Sequence, residues 1–129
     1  MYRLMIADDE DDERMGIKFL MKKCGFGFDI TEAADGREAL EKLKESAVDI
    51  LFTDVKMPFM NGLELSAKAR ELIPEIQIIF FSGYDDFDYV KQALSLQAVY
   101  YILKPVNPEE FEKTIRLVVE RMEQKNALL

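Results

Sequence analysis

Four short, largely apolar runs in this 129-residue chain each stop at a charged or hydroxyl side chain. Residues 3–7 run into Asp8 and Asp9, 49–53 into Asp54, 77–81 into Ser82, and 99–103 into Lys104, which precedes Pro105. Short apolar runs bounded by turn signals read as buried strands. A more polar run at 29–33 reads as a fifth strand. Helical patterns lie between the runs, so the chain alternates strand and helix. That alternation implies right-handed βαβ units and a parallel sheet. Parallel strands all end on one side, so the polar residues that close them meet at one edge. In an open α/β sheet, ligands bind outside that carboxyl edge. Three carboxylates, a hydroxyl and an ammonium gathered there point to a divalent cation together with a phosphoryl group.

The helix signals fill the gaps between strands. A first helix is predicted from Asp11 to about Lys23, with Met15, Phe19, Met21 and Lys22 along it and Gly25 and Gly27 breaking it. Asp35 with Glu38 has capping-box spacing, and the helix it opens packs through Ala39, Leu40 and Leu43. Asn61 with Glu64 repeats that spacing ahead of Leu63, Ala67 and Leu72, the expected core residues of a third helix. Asp85 is expected to cap a fourth helix with Val90, Ala93 and Leu94 on one face. Asn107, Pro108 and Glu110 supply an N-cap, a first-turn proline and a capping glutamate. Phe111, Ile115, Val118 and Met122 then recur at helical steps. The loop at 55–61 contains Pro58 and an aromatic, Phe59, with equal reason to meet a partner or to fold back.

Composition narrows the function classes. The net charge of −8 argues against binding of nucleic acid or an anionic membrane by this chain, because both need clustered Lys and Arg. With no His and one Cys, a zinc site and an intrachain disulfide are both excluded. Cys24 reads as a small buried or half-buried side chain rather than a reactive thiol. No apolar run approaches the ~20 residues of a membrane span, and the N-terminus shows no signal-peptide pattern. A cytoplasmic location is the expectation.

Five segments together resemble the receiver domain of two-component response regulators, similar to the chemotaxis regulator family. They are Met5-Ile6-Ala7-Asp8-Asp9-Glu10, then Glu32-Ala33-Ala34-Asp35-Gly36-Arg37-Glu38-Ala39-Leu40, then Asp54-Val55-Lys56-Met57-Pro58 with Asn61-Gly62, then Ser82-Gly83, and Leu103-Lys104-Pro105. The likeness spans residues 1–122, leaving 123–129 as the end of the last helix and the start of a linker. The stretch Ser82-Gly83-Tyr84-Asp85-Asp86-Phe87-Asp88-Tyr89-Val90-Lys91 resembles receivers joined to AraC-type helix-turn-helix transcription factors. The resemblance implies a flavodoxin-like (βα)5 fold with helices on both faces of a five-stranded parallel sheet, order 2-1-3-4-5.

The same resemblance implies the roles of the site residues. Asp54 accepts a phosphoryl group from a sensor histidine kinase. Asp9 ligates Mg2+ directly, Asp8 does so through water, and Asp54 and the main-chain carbonyl of Lys56 complete the set. Lys104, aimed inward by a cis bond before Pro105, holds Asp54 and then a phosphoryl oxygen. The Ser82 hydroxyl follows that oxygen, and Tyr101 is the aromatic switch that turns inward with it. Lys56 and Tyr84 occupy variable positions bordering the path of hydrolytic water. The protein would be a switch rather than a classified enzyme, catalysing only its own modification. DNA contact would belong to an effector domain outside this chain, aided by a homodimer on phosphorylation; a stand-alone phosphorelay receiver is the alternative.

Two other classes share parts of the pattern. A haloacid-dehalogenase-type phosphatase also uses a strand-end aspartate with magnesium, but needs a second Asp two residues on, where Lys56 stands. A nucleotide-binding module would need a glycine-rich loop after the first strand, which here ends in anions instead. Asp11, Asp12 and Glu13 read as solvated first-turn residues.

Overall fold

The computed structural model describes residues 2–83 and 99–127. Five strands, β1 Arg3–Ala7, β2 Asp29–Ala33, β3 Ile50–Asp54, β4 Gln77–Ser82 and β5 Val99–Leu103, form one parallel sheet in the order β2-β1-β3-β4-β5. Among the described residues, α1 (Asp11–Lys23), α2 (Gly36–Glu45), α3 (Gly62–Leu72) and a C-terminal helix (Pro108–Ala127) surround it. The expected fourth helix, with Asp85, Val90, Ala93 and Leu94, lies outside the described residues, as does Tyr84.

Side chains alternate across a strand, so each central strand feeds two cores. Met5, Leu51, Ile78 and Phe80 point to one face, where Ala39 and Leu43 of α2 and Leu65 and Ala69 of α3 cover them. Leu4, Ile6, Ile50, Phe52, Ile79, Phe81 and Ile102 point to the other, against Ile17 and Met21 of α1 and the C-terminal stripe Phe111, Ile115, Val118 and Met122. Burial on both faces explains why β1, β3 and β4 read as continuous apolar runs. The edge strand β2 is only partly buried, which matches its polar sequence.

Caps hold the helix starts. Asn61 Oδ1 accepts from Glu64 N–H at 2.8 Å and Glu64 returns the bond at 3.5 Å, completing the capping box. Asp35 Oδ1 accepts from Glu38 N–H at 2.8 Å, and Asn107 Oδ1 from the N–H groups of Glu109 and Glu110 at 2.8 and 3.2 Å.

Three sequence expectations need correction. β3 runs from Ile50 to Asp54, so Asp54 is its last residue rather than the residue after it. Ser82 likewise closes β4 from within. On α3 the buried residues are Leu65, Ser66 and Ala69 with Gly62, whereas Ala67 is exposed and Leu72 is 44% exposed. The Ser66 hydroxyl donates to the Leu63 carbonyl at 2.9 Å, so a polar residue can face inward there. On α1, Met15 and Phe19 stand 62% and 66% exposed while Ile17 and Met21 face the core.

The site loop is fixed by close backbone approach. A Cβ on Gly62 would lie 2.1 Å from the Asp54 carbonyl oxygen, and one on Gly36 2.4 Å from the Met60 carbonyl oxygen. Only glycine lets α3 begin directly behind Asp54 and lets the 55–61 loop rest on α2. The Gly62 N–H donates to the Val55 carbonyl at 2.7 Å, closing that loop.

Candidate functional site

Register builds the site. Ala7 lies opposite Thr53 across β1 and β3, so the next step on each strand brings Asp8 beside Asp54. Asp54 lies opposite Phe81 and Ser82 opposite Leu103, which places Ser82 and Lys104 at the same edge. Oxygens of Asp8, Asp9 and Asp54 all lie within 4.8 Å of one another, with Asp8 and Asp54 buried and Asp9 exposed. The peptide bond between Lys104 and Pro105 is cis, as the family resemblance implied.

Among the described residues, one ammonium pairs with this acidic group. Lys104 Nζ donates to Asp54 Oδ2 at 3.0 Å and stands 3.7 Å from Asp8 Oδ2 and 3.6 Å from Glu13 Oε1. It also lies 4.8 Å from the centre of the Phe81 ring. Burial works against the charge on Lys104, but the charge and hydrogen bond of Asp54, backed by Asp8 and Glu13, outweigh it and raise its pKa. Glu13 therefore faces the site and is no mere solvated first-turn residue.

Asp8 is the strained member. Its side chain is fully buried, and burial pushes its pKa up to about 7, with Asp54 and Glu13 adding repulsion. The Glu10 N–H bonded to Asp8 Oδ1 at 2.8 Å and the Lys104 charge only partly oppose this. Asp8 Oδ2 has no hydrogen-bond partner among the described residues. A buried carboxylate oxygen without a donor is costly, and a cation is the natural complement. The donor set is all oxygen, which suits a hard divalent ion such as Mg2+. The residues present fit that ion.

The remaining predicted residues are arranged around this centre. Lys56 is exposed, and its N–H approaches Asp54 Oδ1 at 3.4 Å. Ser82 is buried, and its carbonyl accepts from Lys104 N–H at 2.8 Å. Tyr101 is half-buried against the α2–α3 core, and its hydroxyl donates to the carbonyls of Ser82 at 3.2 Å and Gly83 at 3.4 Å. Phe59 does not fold into the core: it is 74% exposed, holds a left-handed φ of 70°, and carries the Arg37 guanidinium 4.6 Å from its ring centre. Cys24 is half-buried, with burial and Glu112 pushing its thiol pKa up, which disfavours a reactive thiolate.

One group escaped the sequence reading. Arg14 donates from Nε to Glu32 Oε1 at 3.2 Å, from Nη1 to the Asp8 carbonyl at 2.5 Å, and from Nη2 to Asp11. Lys18 Nζ holds the other Glu32 oxygen at 2.9 Å. Only the i,i+3 spacing of Asp11 and Arg14 was visible in the sequence, and it says nothing of Glu32.

Comparison with known proteins identifies the family. Residues 4–116 match the family model described as response regulator receiver domain. The chain belongs to that family, the receiver domains of two-component response regulators. It is 33% identical over 127 residues to the uncharacterized transcriptional regulatory protein YesN of Bacillus subtilis, covering 98% of this chain and 34% of that protein. It is 34% identical over 128 residues to the transcriptional regulatory protein HptR of Staphylococcus aureus, covering 98% of this chain and 50% of that one. The chain thus spans half or less of the length of these relatives. Among solved structures, a two component transcriptional regulator AraC from Clostridium phytofermentans superposes with a TM-score of 0.88 at 33% identity, covering 98% of this chain and 99% of that one. The receiver domain of AraT from Geobacillus stearothermophilus gives 0.87 at 38% identity, covering 97% and 98%. The chemotaxis protein CheY4 of Vibrio cholerae gives 0.80 at 28%, covering 92% and 98%. Receiver domains are signalling modules that interact with sensor histidine kinases and bind Mg2+ at an acidic pocket. Among the described residues, no helix is long and apolar enough to cross a membrane.

Proposed function

We propose that this receiver is phosphorylated on Asp54 by a sensor histidine kinase and thereby switches a DNA-binding output domain. The observation that carries the reading is Asp54 itself: a strand-end carboxylate, 3.0 Å from Lys104 Nζ and grouped with Asp8 and Asp9. An Asp54 oxygen attacks phosphorus, the bond from phosphorus to the imidazole nitrogen of the donor breaks, and the imidazole leaves with that electron pair. Lys104 holds the carboxylate in place beforehand and pairs with a phosphoryl oxygen afterwards. Asp8, Asp9, Asp54 and the main-chain carbonyl of Lys56 would hold Mg2+, which offsets the repulsion between two anions that must meet.

The acyl phosphate then biases a two-state element. The Ser82 hydroxyl follows a phosphoryl oxygen, and Tyr101, tied by its own hydroxyl to the Ser82 and Gly83 carbonyls, changes position with it. Residues 1–122 form the receiver, and 123–129 lead towards the output domain. The presence of transcriptional regulatory proteins among the relatives supports that output. The acidic balance, −8 overall, leaves DNA contact to the output domain, with dimerisation of the phosphorylated receiver bringing two copies together. On this reading the protein is cytoplasmic and performs no turnover beyond its own modification.

The test is incubation with acetyl phosphate and Mg2+ followed by mass spectrometry. One phosphoryl group on Asp54, absent in Asp54→Ala, is expected. Label on another residue would overturn the assignment.

A further inference from the structure

We propose that Arg14 is a positioning residue for the metal-binding loop, and that it sets the affinity of the Asp8–Asp9–Asp54 cluster for divalent cations. The inference rests on the metal reading above and adds a residue that takes no part in ligation.

The argument begins where β1 ends. The Asp8 N–H still donates to the Ala33 carbonyl at 3.1 Å, but the chain then leaves the sheet. The Asp8 carbonyl has lost its ladder position, and a buried carbonyl needs a donor. Arg14 Nη1 supplies it at 2.5 Å. The peptide unit is planar, so holding the Asp8 oxygen fixes the plane that contains the nitrogen and Cα of Asp9. The direction in which Asp9 leaves the backbone is therefore set by the guanidinium of Arg14.

The guanidinium is itself immobilised. Its side chain is 12% exposed, little for a charged group, and all three nitrogens are engaged. The far anchor is Glu32 on β2, whose second oxygen is held by Lys18 at 2.9 Å. Lys42 Nζ donates to the Glu32 main-chain carbonyl at 2.5 Å and secures that residue from the α2 side. A rigid fork between a strand and a loop carbonyl transmits position in a way a lysine cannot. The arrangement has the form of an outer-sphere support for a metal site.

A competing reading makes the opposite prediction. If Arg14 acted only through its charge, it would repel a nearby cation, and its removal would tighten binding. If it acted only on folding, the variants would melt earlier but bind metal as well as the wild type.

The experiment is a Mn2+ titration of the intact protein, with free Mn2+ counted by electron paramagnetic resonance and folding checked by circular dichroism. Arg14→Met keeps the stem and removes charge and fork. Arg14→Lys keeps the charge and removes only the fork. Both should weaken Mn2+ binding by roughly 10-fold. Glu32→Gln loosens the far anchor without touching the loop and should weaken it less, which serves if the Arg14 variants fold poorly. Wild-type affinity in folded Arg14→Lys, or tighter binding by Arg14→Met, would overturn the inference while leaving the metal site standing. Failure of the wild type to bind Mn2+ would overturn both readings together.

Discussion

Two clusters of charge sit side by side at the carboxyl edge of this sheet, and they are built on opposite principles. Around Asp54, the carboxylates of Asp8 and Asp9 crowd together, and among the described residues Lys104 is the one ammonium paired with Asp54, Asp8 and Glu13. Around Glu32, one carboxylate is held by two cations, Arg14 at 3.2 Å and Lys18 at 2.9 Å. The first group is short of positive charge, and burial pushes the Asp8 carboxyl up to about 7. The second is saturated: the Lys18 hydrogen bond, with Arg14 behind it, overcomes desolvation and holds the Glu32 carboxyl below the usual carboxylate range. A folded chain that can satisfy a carboxylate so fully at β2, and does not at β1 and β3, leaves the shortage for something else to fill. Local frustration of this kind marks a functional site.

The contrast breaks most directly in the pH dependence of the metal-free protein. Asp8 in the unfolded chain loses its proton near the ordinary aspartate value of 3.8, whereas in the folded chain it keeps it to about 7. Between those values the unfolded state binds fewer protons, so stability from this residue falls as pH rises and levels off above 7. The loss should reach roughly 4 kcal/mol at most. Urea midpoints of wild type and Asp8→Asn, measured from pH 4 to 8 with chelator present, isolate it. Asp8→Asn should gain on the wild type as pH rises; parallel curves would mean that Asp8 is not the strained carboxyl.

Cation binding should undo that same loss. Millimolar Mg2+ at neutral pH should stabilise the wild type by roughly 1–3 kcal/mol through mass action. Asp9→Asn should blunt the response. Asp54→Asn should blunt it too, and should also remove repulsion on Asp8 in the metal-free protein. A thermal midpoint indifferent to Mg2+ would leave the charge shortage without its proposed remedy.

The two clusters also differ in how far they could be read from the sequence. The residues of the first sit at the ends of apolar runs, and the rule that strand ends meet at one edge was enough to assemble Asp8, Asp54, Ser82 and Lys104. The strands were legible because β1, β3 and β4 are buried on both faces and so contain little but apolar residues. The stripe of the C-terminal helix was legible because its four buried side chains are all large. α3 was not, because small and polar residues face its core: Ser66 meets its hydrogen-bonding need on the Leu63 carbonyl and Ala69 lets the helix approach. The Arg14–Glu32 support was illegible for a different reason. Its partners are 18 residues apart on two elements, and neither closes a strand with a lone polar residue. Glu13 was misread as solvated because its acidic neighbours Asp11 and Asp12 are exposed.

The smallest expected effect belongs to the saturated cluster, and its sign is opposite. Because the folded-state pKa of Glu32 is depressed, its pairing contributes stability above the ordinary carboxylate range. That contribution disappears as pH falls through the depressed value. The side chain is 35% exposed, so solvent screens the pairs and the contribution should be only about 0.5–1 kcal/mol. Glu32→Gln should therefore lose about that much at pH 7 and nothing in strong acid. The difference between wild type and Glu32→Gln should grow as pH rises through the acid range. The advantage of Asp8→Asn grows in the other direction and at higher pH, between 3.8 and about 7. Raised salt should shrink the Glu32 effect, because its ion pairs are partly open to water, while leaving most of the Asp8 effect, which comes from burial rather than from a distant charge. Urea midpoints of the two variants at low and high salt test both statements. Equal salt sensitivity would show that the two clusters differ in degree of charge alone, and not in how they are buried.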